Sequence, residues 1–314
     1  MIFSVEFLVG NLGNGFVALV NGRDWLQGRK LSAVDQILTA LSVSRIGLLG
    51  LTFLNWWAAL YCPSSLMIPS RLRAVYISWT VLNHCSLWLA TSLSIYYFLR
   101  IANFSNAFFL YLRFRVRRVV WCILLASLVP LLVNIMLMNL HIDIWVRGSG
   151  TNASHTLSRE FSKLLLAPNL AFSLLPFALS LVAVLLLLAS LWQHWRCWGA
   201  VAGDKRAEAH RRALGGVTAF LFLYILFFLT FLLHVWTFEF PQKNLTSLFY
   251  KVTAAMFPTG HSIVLILRTR KLREVALSAL RGAAGSCRGD FLVAQECSAR
   301  WTVGCEIKNS IGGM

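Results

Sequence analysis

Residues 164–192 read LLLAPNLAFSLLPFALSLVAVLLLLASLW, and no charged residue interrupts this stretch. Roughly 20 consecutive apolar residues in a helix are enough to cross the hydrocarbon core of a bilayer. A single segment in lipid must satisfy its own backbone polar groups, and only a helix does so. The stretch is therefore predicted to be a transmembrane helix.

Six further apolar segments lie on either side of this one, and together they predict an all-α membrane protein. The seven predicted transmembrane helices cover about residues 1–21, 35–58, 73–100, 117–140, 164–192, 214–237 and 246–268. The composition agrees, because only 13% of the 314 residues are charged, against about 25% in soluble domains. The links between segments are too short for a second domain, so residues 1–268 are predicted to form one seven-helix bundle.

The chain changes character after the seventh segment. Apolar residues there recur at the spacing of one helix face, and charged residues fill the other face. The apolar residues are Leu272, Val275, Ala276, Ala279 and Leu280. This pattern predicts a short amphipathic helix over residues 270–281, on the inner membrane surface. Residues 284–314 have no such pattern and are predicted to be a disordered cytosolic tail.

The formal charge of the chain is +17, and its basic residues are concentrated in alternate loops. The loops after the first, third and fifth segments carry Arg23, Arg29, Lys30, Arg113, Arg115, Arg117, Arg118, Arg196, Lys205, Arg206, Arg211 and Arg212. Basic loops stay in the cytosol during insertion. The sequence therefore predicts a multi-pass plasma-membrane protein with an extracellular N-terminus and a cytosolic C-terminus. This placement explains the basic balance better than nucleic-acid binding does.

Two glycosylation sequons lie in loops that this orientation places outside the cell. Asn152 begins one sequon and Asn244 begins the other, so both asparagines are candidate glycosylation sites. A third match begins at Asn103, on the side predicted to face the cytosol, and is expected to remain unmodified. Asn152 is the better placed of the first two, because its loop is the longest on the outside.

Enzyme, metal and cofactor chemistry have no support in the sequence. It contains no HExxH, GxSxG or paired carboxylate motif, and its seven cysteines include no CxxC pair. We therefore expect no catalytic residue, no metal and no cofactor. A membrane transporter or channel is the alternative function. Ion-coupled transport usually requires carboxylates inside the membrane, whereas Glu6 and Asp35 both lie near segment ends.

Three groups of motifs carry a family resemblance. They are Gly13-Asn14-Gly15 with Ser44-Arg45-Ile46, the third segment from Trp79 to Ser105, and His261-Ser262 with Leu265-Ile266-Leu267. The chain resembles the bitter taste receptors (type 2 taste receptors), a family of G-protein-coupled receptors, over about residues 5–281. The resemblance implies a receptor that binds small bitter compounds in an outer-half pocket. It also implies activation of a heterotrimeric G protein of the gustducin type.

The resemblance assigns ligand binding to four positions, namely Trp56, Trp79, Asn83 and Lys251. Tryptophans and one asparagine suit a pocket that is mainly apolar with a few polar groups. The alternative for the two tryptophans is that they anchor the helices at the membrane interface. The alternative for Lys251 is that its amine extends to the lipid headgroups or pairs with Glu239.

Arg45 lies near the middle of the second segment, where a charge must find polar partners within the bundle. Asn14 and the polar stretch around Ser262 are the candidate partners, and the resemblance implies that this arginine helps to hold helices 1, 2 and 7 together. His261 and Ser262 replace the Asn-Pro-x-x-Tyr motif of rhodopsin-like receptors. Phe227 stands where many relatives have a tyrosine linked to activation. These residues form either a structural clasp or part of a switch.

The resemblance places the surface that engages the G protein at the inner end of the third segment and beyond it. The residues are Tyr97, Arg100, Arg113, Arg115 and His210. Each basic residue taken alone could equally be a solvated or lipid-facing charge. As a set, a basic cytosolic surface opposite a G protein explains them better.

Overall fold

The computed structural model describes residues 2–62, 68–148, 154–198, 205–236 and 243–281. In these residues the regular elements are helices and none is a strand. The helices are α1 (Ile2–Leu26), α2 (Ala33–Tyr61), α3 (Pro69–Ile101), α4 (Ala107–Phe114), α5 (Val116–Ala126), α6 (Leu128–Gly148), α7 (Ser154–Trp198), α8 (Lys205–Trp236), α9 (Lys243–Arg268) and α10 (270–281). The prediction of an all-α protein is confirmed. The predicted tail, 284–314, lies outside the described residues.

Except at Ser127, the predicted segments are helical wherever the structure describes them, and several of the helices extend past the predicted ends. The third segment, predicted over 73–100, is α3 from Pro69 to Ile101. The fifth, predicted over 164–192, is α7 from Ser154 to Trp198. Hydrophobicity detects only the part of a helix that needs an apolar environment, so polar turns at the helix ends are not detected.

The fourth predicted segment, 117–140, is divided into two helices. α5 ends at Ala126, α6 begins at Leu128, and Ser127 lies between them. Pro130 explains the break, because proline has no backbone N–H to donate to the carbonyl four residues earlier, that of Ala126. The stretch Val116–Ile144, which includes α5 and most of α6, is nevertheless long and apolar enough to span a membrane as a whole.

Five helical stretches in the described residues are long and apolar enough to cross a membrane. They are Phe3–Leu26, Ala33–Tyr61, Val116–Ile144, Pro168–Gln193 and Gly215–Leu233. α3 is not among them because its middle is rich in polar residues, including the buried Thr91 and Ser92. α3 contacts α2, α5, α6 and α7, so its polar side chains are surrounded by protein and need not face lipid.

The outside of the bundle is apolar. Large hydrophobic side chains are exposed on several helices, such as Leu12 and Leu19 on α1, Trp121 on α5 and Phe222 on α8. A soluble protein rarely exposes so much contiguous apolar surface. The exposed residues therefore identify the surface that faces the hydrocarbon of a bilayer, and the chain is a multi-pass membrane protein.

A short helix, α4, occupies part of what the sequence analysis treated as the loop after the third segment. Asn106 caps its first turn, since its Oδ1 accepts a hydrogen bond from the backbone N–H of Phe108 at 2.8 Å. Phe109 is buried in a cluster with Leu99 and Val116. The α4 helix is thus fixed to the end of α3 by apolar packing that the hydropathy pattern could not indicate.

Two charged side chains tie the opposite end of α3 to α6. Arg73 donates from Nη1 to Oδ1 of Asn139 at 3.1 Å and forms an ion pair with Asp143. Beneath this pair, Met138 and Ile142 are fully buried. Both charged groups are partly exposed, so the ion pair itself contributes little and mainly orients the two helix ends.

Close packing of α1 against α9 depends on two glycines. A Cβ atom built on Gly13 would lie 2.8 Å from Oγ of Ser262, and one on Gly10 would overlap the side chain of Thr259. Real Cβ atoms do not approach other atoms so closely. The helix backbones can therefore approach at these points only because the side chains are absent.

We predict that Gly13→Ala lowers the melting temperature of the purified receptor, because the added methyl group forces α1 away from α9. Gly15→Ala is the matched control: no atom lies within 4 Å of a Cβ built there, and alanine favours helix more than glycine does. The comparison is made by thermal unfolding in the same detergent. Equal melting temperatures for the two variants would contradict the close packing of α1 and α9.

Candidate functional site

Arg45 lies in the middle of α2 and is completely buried, with 0% of its surface exposed. Its Nη1 donates to Nδ1 of His261 in α9 at 2.5 Å, and its Nε donates to Oγ of Ser86 in α3 at 3.4 Å. Its Cζ lies 5.0 Å from the centroid of the Phe257 ring, a cation–π contact. One side chain therefore joins α2, α3 and α9.

The hydrogen bond to His261 determines the protonation state of that imidazole. A guanidinium group has only donors, so Nδ1 of His261 must accept. His261 is then neutral and carries its proton on Nε2. Among the described residues, Nη2 of Arg45 has no hydrogen-bond partner and no carboxylate forms an ion pair with this arginine. The positive charge of Arg45 is therefore stabilised by its contacts with His261, Ser86 and Phe257.

Asn14 and Ser262 both donate to backbone carbonyls. Nδ2 of Asn14 donates to the carbonyl of Gly10 in its own helix at 2.8 Å and to that of Pro258 at 3.4 Å, and Oγ of Ser262 donates to the carbonyl of Thr259 at 2.7 Å. The hydrogen bonds of the Asn14 amide nitrogen therefore go to the backbones of α1 and α9. The polar stretch around Ser262 does supply a partner, which is the neighbouring His261.

Phe227 lies in an aromatic cluster between α8 and α9. It is 8% exposed, and its ring centroid lies 5.2 Å from that of Phe257, the ring that Arg45 contacts. Tyr224, almost one turn earlier in α8, is 1% exposed and stacks on Phe257 at 5.2 Å. The sequence analysis noted the missing hydroxyl at Phe227 but not that Tyr224 places a hydroxyl in the same cluster. The signal was present, since Tyr224 is the one tyrosine in its segment.

Asn83 lines a small polar cavity between α3, α6 and α7. Its polar lining residues are Thr80, Asn83, His84, Trp88, Asn134, Asn169 and Ser173. Oδ1 of Asn169 accepts hydrogen bonds from Oγ1 of Thr80 at 3.3 Å and from Nδ2 of Asn134 at 2.9 Å, so three helices share one polar link. The sequence analysis missed Asn134 and Asn169. Amides within otherwise apolar segments are the signal that could have found them.

The predicted ligand-binding residues are not gathered at one cavity. Trp56 is half-buried in a cluster of α1, α2 and α9, where its ring meets Phe3 edge-on at 5.5 Å. Trp79 is half-buried one turn before Asn83 on α3 and is not among the residues that line the cavity. The physical reason is that Trp56 and Asn83 belong to different helix interfaces.

A basic groove lies where α3 ends and α4 and α5 meet. It has a volume of about 680 Å³ and is lined by Arg100, Leu110, Arg113, Phe114, Arg115, Val116, Arg117 and Arg118. Three of the residues predicted to face a G protein, Arg100, Arg113 and Arg115, are thus brought together. Tyr97 is half-buried nearby, against the apolar cluster that contains Leu99.

Several predicted site residues lie where the structure describes no side chain. Lys251 and Asn244 fall within α9 and His210 falls within α8, but their side chains are outside the described residues. Asn152 precedes α7 and lies outside the described residues altogether. Their roles in ligand binding, glycosylation and G-protein contact therefore remain predictions from sequence.

The apolar exterior, the polar middle of α3 and the buried Arg45 identify an integral membrane protein built from a bundle of helices. Comparison with known proteins assigns the family. A family model described as "Taste receptor protein (TAS2R)" matches residues 1–283. The chain therefore belongs to the type 2 taste receptor family, the bitter taste receptors.

Individual relatives agree with the family match over nearly the whole chain. "Taste receptor type 2 member 14" of Gorilla gorilla gorilla is 45% identical over 286 residues, which cover 89% of this chain and 90% of the relative. The protein of that name from Homo sapiens is 44% identical with the same coverage. "Taste receptor type 2 member 125" of Rattus norvegicus is 45% identical, and the match covers 92% of that relative. These relatives are receptors and not enzymes.

We predict that Arg45→Ala reduces surface expression to less than half of the wild-type level. The substitution leaves a cavity and removes the donor to His261 and Ser86, and each unsatisfied buried polar group costs roughly 1–3 kcal/mol. Arg71→Ala is the control, since Arg71 is exposed. An N-terminal tag stained on intact cells provides the measurement. Wild-type surface expression of Arg45→Ala would show that the clasp is not required.

Proposed function

We propose that this protein is a cell-surface receptor for small bitter compounds that activates a heterotrimeric G protein of the gustducin type. The observation that carries the proposal is the 45% identity with a type 2 taste receptor over 89% of the chain. The proposed orientation has the N-terminus outside, and it follows from the concentration of arginines at one end of the bundle. Sugar attached at Asn152 and Asn244 would agree with it.

The ligand is proposed to bind between α3 and its neighbours, on the outer side of the Arg45 clasp. Trp79 and Asn83 are four residues apart on α3 and therefore lie on the same helix face. Asn83 is 6% exposed and can both donate and accept hydrogen bonds, so it suits a ligand that carries hydroxyl or carbonyl groups. Trp56 on α2 and Lys251 on α9 are proposed as a second group of ligand contacts, because Trp56 packs at the interface of α1, α2 and α9.

The basic groove is proposed to face the G protein. Arg100, Arg113 and Arg115 line it, and Arg115 is held in place because its Nη1 donates to the hydroxyl of Tyr111 at 2.9 Å. No ion pair to these three arginines is found among the described residues. Their charge is therefore available to acidic groups of a cytosolic partner. α10 is proposed to lie on the inner membrane surface.

We predict that cells expressing this receptor with a gustducin-type G protein show ligand-evoked calcium signals to members of a panel of bitter compounds. Asn83→Leu should weaken the potency of a responding agonist by about 10-fold, which corresponds to the loss of one hydrogen bond of about 1.4 kcal/mol. The control is Asn55→Leu, the same change at an exposed position on α2. Surface expression is measured for each variant.

Two results would overturn parts of this proposal. Ligand-evoked current without dependence on the added G protein would identify a channel or transporter. Equal potencies for Asn83→Leu, Asn55→Leu and wild type, at equal surface expression, would remove Asn83 from the ligand site while leaving the receptor function intact.

A further inference from the structure

Three residues that line the polar cavity between α3, α6 and α7 each have a buried polar atom without a hydrogen-bond partner among the described residues. The atoms are Nε2 of His84, Nε1 of Trp88 and Oδ1 of Asn134, and all three residues line the cavity. The residues are 7%, 5% and 3% exposed, respectively. Buried polar atoms without a partner are rare in folded proteins, and three at one cavity indicate a bound hydrogen-bonding molecule.

The orientation of Asn134 is fixed by its neighbours. Its Nδ2 donates to Oδ1 of Asn169 at 2.9 Å, while Nδ2 of Asn169 faces Sδ of Met138 at 3.6 Å. Exchanging the nitrogen and oxygen of the Asn134 amide would place its oxygen against the oxygen of Asn169. Exchanging them in both Asn134 and Asn169 would place the Asn169 oxygen against the sulfur of Met138. Oδ1 of Asn134 is therefore left as an acceptor within the cavity.

Nε2 of His84 is the second of the three buried atoms, and it has no hydrogen-bond partner among the described residues. An imidazole nitrogen donates in one tautomer and accepts in the other, so Nε2 can serve the cavity in either role. The indole N–H of Trp88 is a donor only.

The cavity thus presents one acceptor, one donor and one imidazole nitrogen that can be either, and its volume is about 10 Å³. A water molecule can donate two hydrogen bonds and accept two, and it needs a cavity of roughly 10–15 Å³. We propose that one ordered water molecule occupies this site, donates to Asn134, accepts from Trp88 and forms a third hydrogen bond with Nε2 of His84. A drug-sized ligand does not fit the volume, so the water site borders the proposed binding region at Asn83 and does not contain the ligand.

The water completes a polar connection between three helices. Thr80, Asn134 and Asn169 already link α3, α6 and α7 through one amide oxygen. The water adds His84 and Trp88 to this link. Asn83 lines the same cavity, so a ligand that contacts Asn83 would lie beside the water without displacing it.

Direct observation provides the first test. A structure of the full-length receptor, determined at a resolution that reveals ordered water, should contain one density peak within about 2.6–3.2 Å of all three atoms. The absence of a peak with the three side chains in place would overturn the proposal. A protein group occupying the cavity would overturn it as well.

Nuclear magnetic resonance of the indole groups provides the second test. With tryptophan labelled by nitrogen-15, the Trp88 signal is identified by its loss in Trp88→Phe. In the wild type, the Trp88 indole proton should show magnetization transfer to water although the residue is 5% exposed. Asn134→Leu should shift this signal and Asn55→Leu should not, because Asn134 contacts the same water. The absence of magnetization transfer from the Trp88 indole proton to water in the wild type would contradict the proposal. This result does not depend on whether Asn134→Leu folds.

Discussion

The structure depends on one cationic side chain, that of Arg45, which is completely buried. Arg45 is 0% exposed near the centre of a membrane-spanning helix, where insertion scales assign a charge roughly 2.5–3.5 kcal/mol. Lipid cannot stabilise that charge, so the neighbouring helices must supply hydrogen-bond acceptors and ring faces in fixed positions. His261, Ser86 and Phe257 do so from two other helices. The relative rotation of α2, α3 and α9 is consequently constrained at one point.

Other packing features accompany this constraint. α3 can be too polar to span lipid on its own because its polar face is turned towards α2 and α7. α1 packs against α9, and the two glycines at 10 and 13 permit the close approach. The ring of Phe257 connects the Arg45 clasp to Tyr224 and Phe227 on α8. A change in the position of α9 would therefore alter the contacts of Phe257 with Arg45 on α2 and with Tyr224 and Phe227 on α8. Such a link suits a receptor that transmits a signal between its two ends.

Much of this architecture could be predicted from the sequence, and the exceptions have physical causes. Apolar stretches such as 164–192 identified the membrane-spanning helices, since the bilayer imposes length and polarity directly. The need of Arg45 for polar partners was also evident. The identity of those partners was not, because it depends on helix rotation: His261 and Ser262 are adjacent in sequence but point in different directions. The break at Ser127 arises from Pro130. The helix α4 is fixed by apolar packing against the end of α3.

The candidate site was less predictable than the fold. The resemblance named Trp56, Trp79, Asn83 and Lys251 together, whereas Trp56 packs on Phe3 at a different interface from that of Asn83. Asn134 and Asn169 were missed because a single amide in an apolar segment does not indicate which helix it will meet. Family membership supplies what geometry alone does not, namely that these helices form a taste receptor.

The most direct measurement of the central claim is a double-mutant cycle between Arg45 and His261. The melting temperature of the purified receptor is determined for wild type, Arg45→Met, His261→Phe and the double variant. If the two side chains act as one unit, the double variant should lose clearly less than the sum of the two single losses, since each single change already breaks the bond. Losses that add would contradict the account, because Arg45 and His261 would then stabilise the bundle independently.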